Sequence, residues 1–176
     1  MLVAYYSLSG HTERVARSIA ARLGADLERI HEGANRRGPF GYLRALFDSW
    51  RERPARLEAG PSPAQDHRLT IIGTPIWVGK MTPAIRAYLA SLRGRRGDVA
   101  LFTTSASTDG AGVITAMEVL LGKTAVASVS FTERELRDPV AYETKLGAFQ
   151  AALAGRDASL ARAVRAAPPP VIAIAR

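Results

Sequence analysis

Three short stretches of this chain combine residue types that could do chemistry, and the first is Ser7-Leu8-Ser9-Gly10-His11-Thr12. An apolar run beginning at Leu2 stops there in a hydroxyl-rich loop, and an amphipathic pattern starts at once. This reads as strand, anion-binding loop and helix. The first N–H groups of a helix lack intrahelical partners and the macrodipole is positive at that end, so the segment favours a phosphate. Ser7, Ser9 and Thr12 add hydroxyl donors, and Gly10 lets the backbone approach closely. Taken alone, such a cluster is more often a turn with an N-cap. The two other stretches change the balance.

The second is Gly73-Thr74-Pro75-Ile76-Trp77-Val78-Gly79, directly after the short apolar run Leu69 to Ile72. That run is bounded by breakers and suits a central strand buried on both faces, with Gly73 as its end. A tryptophan in a loop at the carboxyl end of such a strand is oddly placed for a core residue, because ligands of open parallel sheets sit outside those strand ends. The alternative is Trp77 as a plug packed on the extra helix expected over 39–53. The third stretch, Thr104-Ser105-Ala106-Ser107, closes another apolar strand, Asp98 to Thr104, in small polar residues.

Other chemistries find little support. The chain has no cysteine, which removes thiol catalysis, disulfides and thiolate metal sites, and its three histidines lack ligand spacing, so no metal is expected. Ser9 lacks the flanking glycines of a nucleophile elbow. Gly122-Lys123-Thr124 resembles the end of a triphosphate loop, but Met117 stands where its leading glycine belongs. A phosphorylation-regulated receiver domain needs acidic residues where Tyr6-Ser7 and Thr74-Pro75 stand.

Positioning those loops requires a strand and helix alternation, and the sequence supplies one. Val15, Ala16, Ile19, Ala20 and Leu23 share a helical face that Gly24 ends, and a second strand is expected over residues 27–32. After the Gly73–Lys80 stretch, Thr82-Pro83 starts a helix buried through Ile85, Tyr88, Leu89 and Leu92; another carries Val113, Ile114, Met117 and Leu121. Ala125 to Phe131 reads as the last strand, and Asp138-Pro139 opens a helix with Tyr142, Leu146, Phe149 and Leu153 on one face. An extra helix over 39–53 carries Phe40, Leu43, Leu46, Phe47 and Trp50; covering the sheet, dimerisation and roofing a ligand pocket all remain open for it. Beyond 154, a short helix over 157–166 and an apolar tail over 168–176 are expected.

The 176 residues suit one domain, and 47% hydrophobic with 23% charged residues is an ordinary globular composition. No apolar run is long enough to span a bilayer and no signal peptide is evident, which makes the cytoplasm the expected compartment. The net charge of +8, almost all arginine, favours anionic ligands, but no cationic block interleaved with aromatics marks a nucleic-acid site.

The first loop resembles the phosphate loop of the flavodoxin family, in which a (S/T)-x-(S/T)-G-x-T segment holds the FMN phosphate, and the other two stretches resemble that family's flavin-ring loops. Over residues 1–154 the resemblance implies an α/β, flavodoxin-like three-layer sandwich with a five-stranded parallel sheet in the order 2-1-3-4-5, within a single domain spanning 1–176. It implies FMN as cofactor. Ser7, Ser9, Gly10, His11 and Thr12 would bind the phosphate; Pro75, Ile76, Trp77, Val78 and Gly79 would line the ring's N5 side and dimethylbenzene edge; Thr104, Ser105, Ala106 and Ser107 would bind its pyrimidine. No tyrosine stacks in the third loop and Ala106-Ser107 replaces the usual glycine pair, which leaves one ring face open.

The function so implied is electron transfer, or NADPH- or NADH-dependent reduction of a small acceptor such as a quinone, with no catalytic acid or base because the flavin carries the electrons. Partners would be a nicotinamide or a redox protein, and a homodimer is one further expectation. Low-potential shuttles are usually acidic, so the basic charge leans toward a reductase. A cofactor-free interaction module that keeps the fold is the alternative.

Overall fold

The computed structural model describes residues 1–31 and 67–155. The expectations for the 39–53 helix, the 157–166 helix and the 168–176 tail lie outside the described residues. Within them the apolar runs and amphipathic patterns become β1 (Leu2–Tyr5), α1 (His11–Leu23), β2 (Asp26–Arg29), β3 (Leu69–Trp77), β4 (Lys80–Met81), α2 (Pro83–Leu92), β5 (Asp98–Ser105), α3 (Ala111–Leu121), β6 (Ser128–Thr132), α4 (Glu133–Arg137) and α5 (Pro139–Ala154).

Five strands run parallel in the order β2-β1-β3-β5-β6, which is the expected 2-1-3-4-5 once the short β4 is set aside. β4 is the addition: its two residues pair antiparallel with the end of β3, Ile76 opposite Met81 and Trp77 opposite Lys80. Among the described residues the sheet therefore has six strands rather than five.

Alternation along the strands divides the core in two. Leu2, Ala4, Ile72 and Leu101 face α2 and α3, where Ile85, Tyr88, Leu89, Val113 and Met117 are buried. Val3, Tyr5, Ile71 and Phe102 face α1 and α5, meeting Val15, Ile19, Leu146 and Phe149. The central strands β1, β3 and β5 are covered on both faces, as parallel sheets require. Three layers result.

Several boundaries differ from the expected ones. β3 does not stop at Gly73 but continues for nine residues to Trp77. Gly73 is there for space rather than as a breaker: a Cβ at this position would lie 2.0 Å from Cζ of Phe102, whose ring covers it. β2 is shorter than residues 27–32, and β6 begins at Ser128 rather than Ala125. The short α4 was not expected, although its start is written in the sequence as Thr132-x-x-Glu135. The Thr132 hydroxyl accepts the Glu135 N–H while the Glu135 carboxylate accepts the Thr132 N–H, a reciprocal cap.

Burial opposes ionisation of Glu135, but the Lys145 ammonium 2.7 Å away and the Thr132 N–H and hydroxyl, each at 2.9 Å, outweigh it and hold the acid below the ordinary carboxylate value. Its stabilising contribution is therefore present above that value and is lost as pH falls through the lower folded-state pKa. Thermal melts should show the parent ahead of Glu135→Gln by about 1 kcal/mol at neutral pH, with the gap closing on acidification below the carboxylate range. A gap that stays constant with pH would contradict the assignment. Gly73→Ala should cost about 1–3 kcal/mol in urea unfolding through overpacking against Phe102.

Candidate functional site

Register brings the three chemically suggestive stretches to one end of the sheet. Tyr5 pairs with Gly73, Gly73 with Phe102 and Pro75 with Thr104, so β1, β3 and β5 deliver their carboxyl ends side by side. Ligand sites of open parallel sheets lie there, next to the point where strand order reverses between β1 and β3.

After β1 the chain makes a compact loop. The Ser7 hydroxyl oxygen accepts the Gly10 N–H at 3.1 Å, and Gly10, at φ 94°, takes the left-handed conformation that glycine allows before α1 begins. No side chain caps α1 at this end. Leu8, Ser9 and Gly10 are exposed, His11 is half-buried, and Ser7 and Thr12 are buried. The Thr12 hydroxyl lies 2.8 Å from that of Thr104, a buried contact joining the first loop to the third. A hydroxyl can accept one hydrogen bond and donate another. If Thr104 donates, the Thr12 proton is left free for an acceptor beyond.

The second stretch is a hairpin rather than an open loop. Val78 and Gly79 are the two residues between β3 and β4, and both have positive φ, 50° and 72°. Two-residue type I′ hairpin loops need this sign at both positions and favour Asn-Gly there. Gly79 supplies it without strain. Val78 does not: a β-branched residue in the left-handed region is disfavoured by about 1–2 kcal/mol, and its side chain stands 59% exposed with little packing to offset this. Trp77, just before the turn, is 8% exposed and meets the Tyr6 ring edge-on, centroids 5.6 Å apart at 83°. Its buried ring also forms part of a cavity wall, and the alternative of packing on the 39–53 helix lies outside the described residues.

That cavity, about 250 Å³, draws Ser9 and His11 from the first loop, Pro75, Ile76 and Trp77 from the second, and Thr104, Ser105 and Ala106 from the third. Ser7, Gly10, Thr12, Val78, Gly79 and Ser107 adjoin these residues in the chain without forming its wall. Two lining residues were not singled out in the sequence: Leu8 and Glu133. Leu8 sits within the first loop and was passed over as apolar. Glu133 follows β6, and nothing in its local sequence links it to the other loops. Its carboxylate stands 3.8 Å from His11 Nδ1 and 2.9 Å from Arg137 Nη2. Among the described residues Glu133 is thus the one carboxylate of the cavity wall, with its arginine partner Arg137 outside that wall.

Among the described residues no group of three or more His, Cys, Asp or Glu could hold a metal, and no helix is long and apolar enough to cross a membrane.

No family model matches this sequence, and no curated protein matches it. Solved structures do. A flavoprotein of Lactobacillus acidophilus NCFM in complex with FMN is 22% identical, with a TM-score of 0.62 over 77% of this chain and 94% of that one. The two-electron reduced flavodoxin of Megasphaera elsdenii is 18% identical, TM-score 0.52, over 87% of this chain and 99% of its own. An NADH:FMN oxidoreductase in its apo form is 15% identical, TM-score 0.55, over 86% and 87%. At these identities the likeness is one of architecture, and the architecture is flavodoxin-like.

Replacing Val78 with asparagine should relieve the strain of the hairpin. Val78→Asn is expected to raise Tm, worth about 1 kcal/mol at the midpoint; a lowered Tm would mean that the valine contributes contacts its exposure does not suggest.

Proposed function

We propose that this flavodoxin-like chain binds FMN in the cavity at the carboxyl ends of β1, β3 and β5 and works as an electron-transferring flavoprotein. The single observation that carries the reading is convergence: three stretches separated by tens of residues line one cavity beside a helix N-terminus that no side chain caps. Polar side chains (Ser9, His11, Thr104, Ser105) and apolar ones (Leu8, Pro75, Ile76, Trp77) both line it.

In this reading Ser9, His11 and the opening N–H groups of α1 take the phosphate, with Thr12 as a donor held in place by Thr104. Pro75, Ile76 and Trp77 offer the apolar surface that a flat ring needs, with the Val78-Gly79 turn alongside. Thr104 to Ser107 supply polar groups for the pyrimidine edge. When bound, FMN supplies one- or two-electron redox chemistry, and the protein's task is to hold and orient it. The cavity is below the ~300–1,000 Å³ of pockets that enclose a whole small molecule, so the described residues leave part of the ring accessible to a donor or acceptor.

Charge bears on the choice of partner. A wall with a single carboxylate, itself paired with Arg137, does not impose the strong carboxylate repulsion that lowers the potential of an acidic shuttle. We therefore favour a reductase fed by NADH or NADPH, passing electrons to a small acceptor of the quinone type, over a dedicated low-potential carrier.

Purified protein stripped of ligand should quench FMN fluorescence in a saturable titration. Thr12→Val and Trp77→Ala should each weaken binding about tenfold or more, as expected for losing a hydrogen bond to a charged group or a large contact surface. Absence of saturable binding by the parent would sink the proposal. NADH and NADPH oxidation followed on the loaded protein then separates the two electron sources: no turnover with either would replace the reductase by a protein-fed carrier.

A further inference from the structure

We infer that Arg29 is a positioning residue of the first loop: its guanidinium draws the Ser7 carbonyl away from the anion site and so sets how strongly the protein prefers a phosphorylated flavin to the same flavin without phosphate. The inference rests on the FMN reading and adds to it a residue that touches neither the cavity nor the ligand.

Strand pairing puts Arg29 in place. β1 and β2 run parallel with Tyr5 opposite Arg29, the last residue of each, and the Ile30 N–H donates to the Tyr5 carbonyl at 2.8 Å. The Arg29 side chain therefore starts beside the point where the first loop leaves the sheet. Its Nη2 donates to the Ser7 carbonyl at 3.0 Å while Nη1 reaches the Glu13 carboxylate at 3.3 Å. Glu13 in turn accepts from Arg17 Nη2 at 2.8 Å, and that bond, with the charge of Arg29, holds its carboxyl below the ordinary range and keeps it ionised. One planar guanidinium thus spans the loop and the first turn of α1, which a single ammonium could not do with the same geometry.

The consequence concerns a carbonyl. A loop that binds an anion must turn N–H groups toward it and carbonyl oxygens away, since each carbonyl carries partial negative charge. Among the described residues no peptide is cis, so the C=O of Ser7 and the N–H of Leu8 point in opposite directions across one planar unit. Fixing the first on Arg29 turns the second away from Arg29. Leu8 lies on the cavity wall, so this peptide unit carries the orientation of the loop. Ser7 is tethered a second time, through its hydroxyl oxygen to the Gly10 N–H at 3.1 Å. A loop so held is ordered before the phosphate arrives, which spares ordering entropy on binding.

The test compares FMN with riboflavin, which has the ring and ribityl chain but no phosphate, titrated against parent, Arg29→Met and Arg29→Lys. In Arg29→Met the FMN dissociation constant should rise about tenfold with that for riboflavin unchanged, and Arg29→Lys should fall between. Amide exchange at Leu8 and Ser9 in the ligand-free chain should speed up in Arg29→Met. An unchanged ratio of the two affinities, or a parallel loss of both flavins, would overturn the inference while leaving the FMN reading intact. A parent that binds riboflavin as tightly as FMN would do the same. A parent that binds neither removes the FMN reading itself, and this role of Arg29 with it.

Discussion

The close contact between Gly73 and Phe102 sits at the centre of everything the site needs. Gly73 is paired with Tyr5 on one side and Phe102 on the other, and the Phe102 ring occupies the space where any other residue would carry a side chain. A slip of one residue in either pairing would exchange the inward and outward faces of a strand buried on both sides. With register so constrained, the ends of β1, β3 and β5 arrive together, and the loops that follow them have no choice but to be neighbours. The cavity is a product of strand pairing before it is a product of loop chemistry.

Most of the hydroxyls that look like ligand donors in the sequence also make a hydrogen bond within the protein, some as acceptors that keep their own proton to donate. Ser7 accepts from Gly10, Ser105 donates to the Thr108 carbonyl, and Thr12 and Thr104 share a hydrogen. Thr74 and Thr82 share another, below the hairpin. These bonds are local constraints on loops that would otherwise lose more conformational entropy on meeting a ligand. Of the first loop's polar side chains, Ser9 and His11 line the cavity itself, and the uncapped start of α1 stands beside them.

Charge follows the same division between the whole and the local. The chain carries a net charge of +8, yet the cavity wall holds one carboxylate, Glu133, already paired with Arg137. Around the first loop, Arg17 and Arg29 close on Glu13 rather than facing solvent alone. Long-range attraction for anionic ligands comes from the surplus of arginine over the surface. Close to the cavity, charges are grouped: Glu133 with Arg137, and Glu13 with two arginines for a local surplus of one positive charge.

Periodicity and breaker positions determined the order of strands and helices along the chain, because a residue's face in a strand or helix depends only on its neighbours in the chain; that alternation pointed to a parallel sheet, while the spatial order of its strands came from the family resemblance. Local sequence also marked the loops around Gly10, Trp77 and Ser105. It could not show that Gly73 is an interior strand residue, because its reason is a ring 29 positions later. It could not show Glu133 in the cavity wall or Arg29 on the Ser7 carbonyl, since both contacts exist only after crossovers have folded distant strand ends together. Tertiary structure alone decided those, as well as the left-handed turn at Val78 that its β-branched side chain argues against. Burial and hydrogen bonding act across space, and only the folded chain says which atoms that space contains.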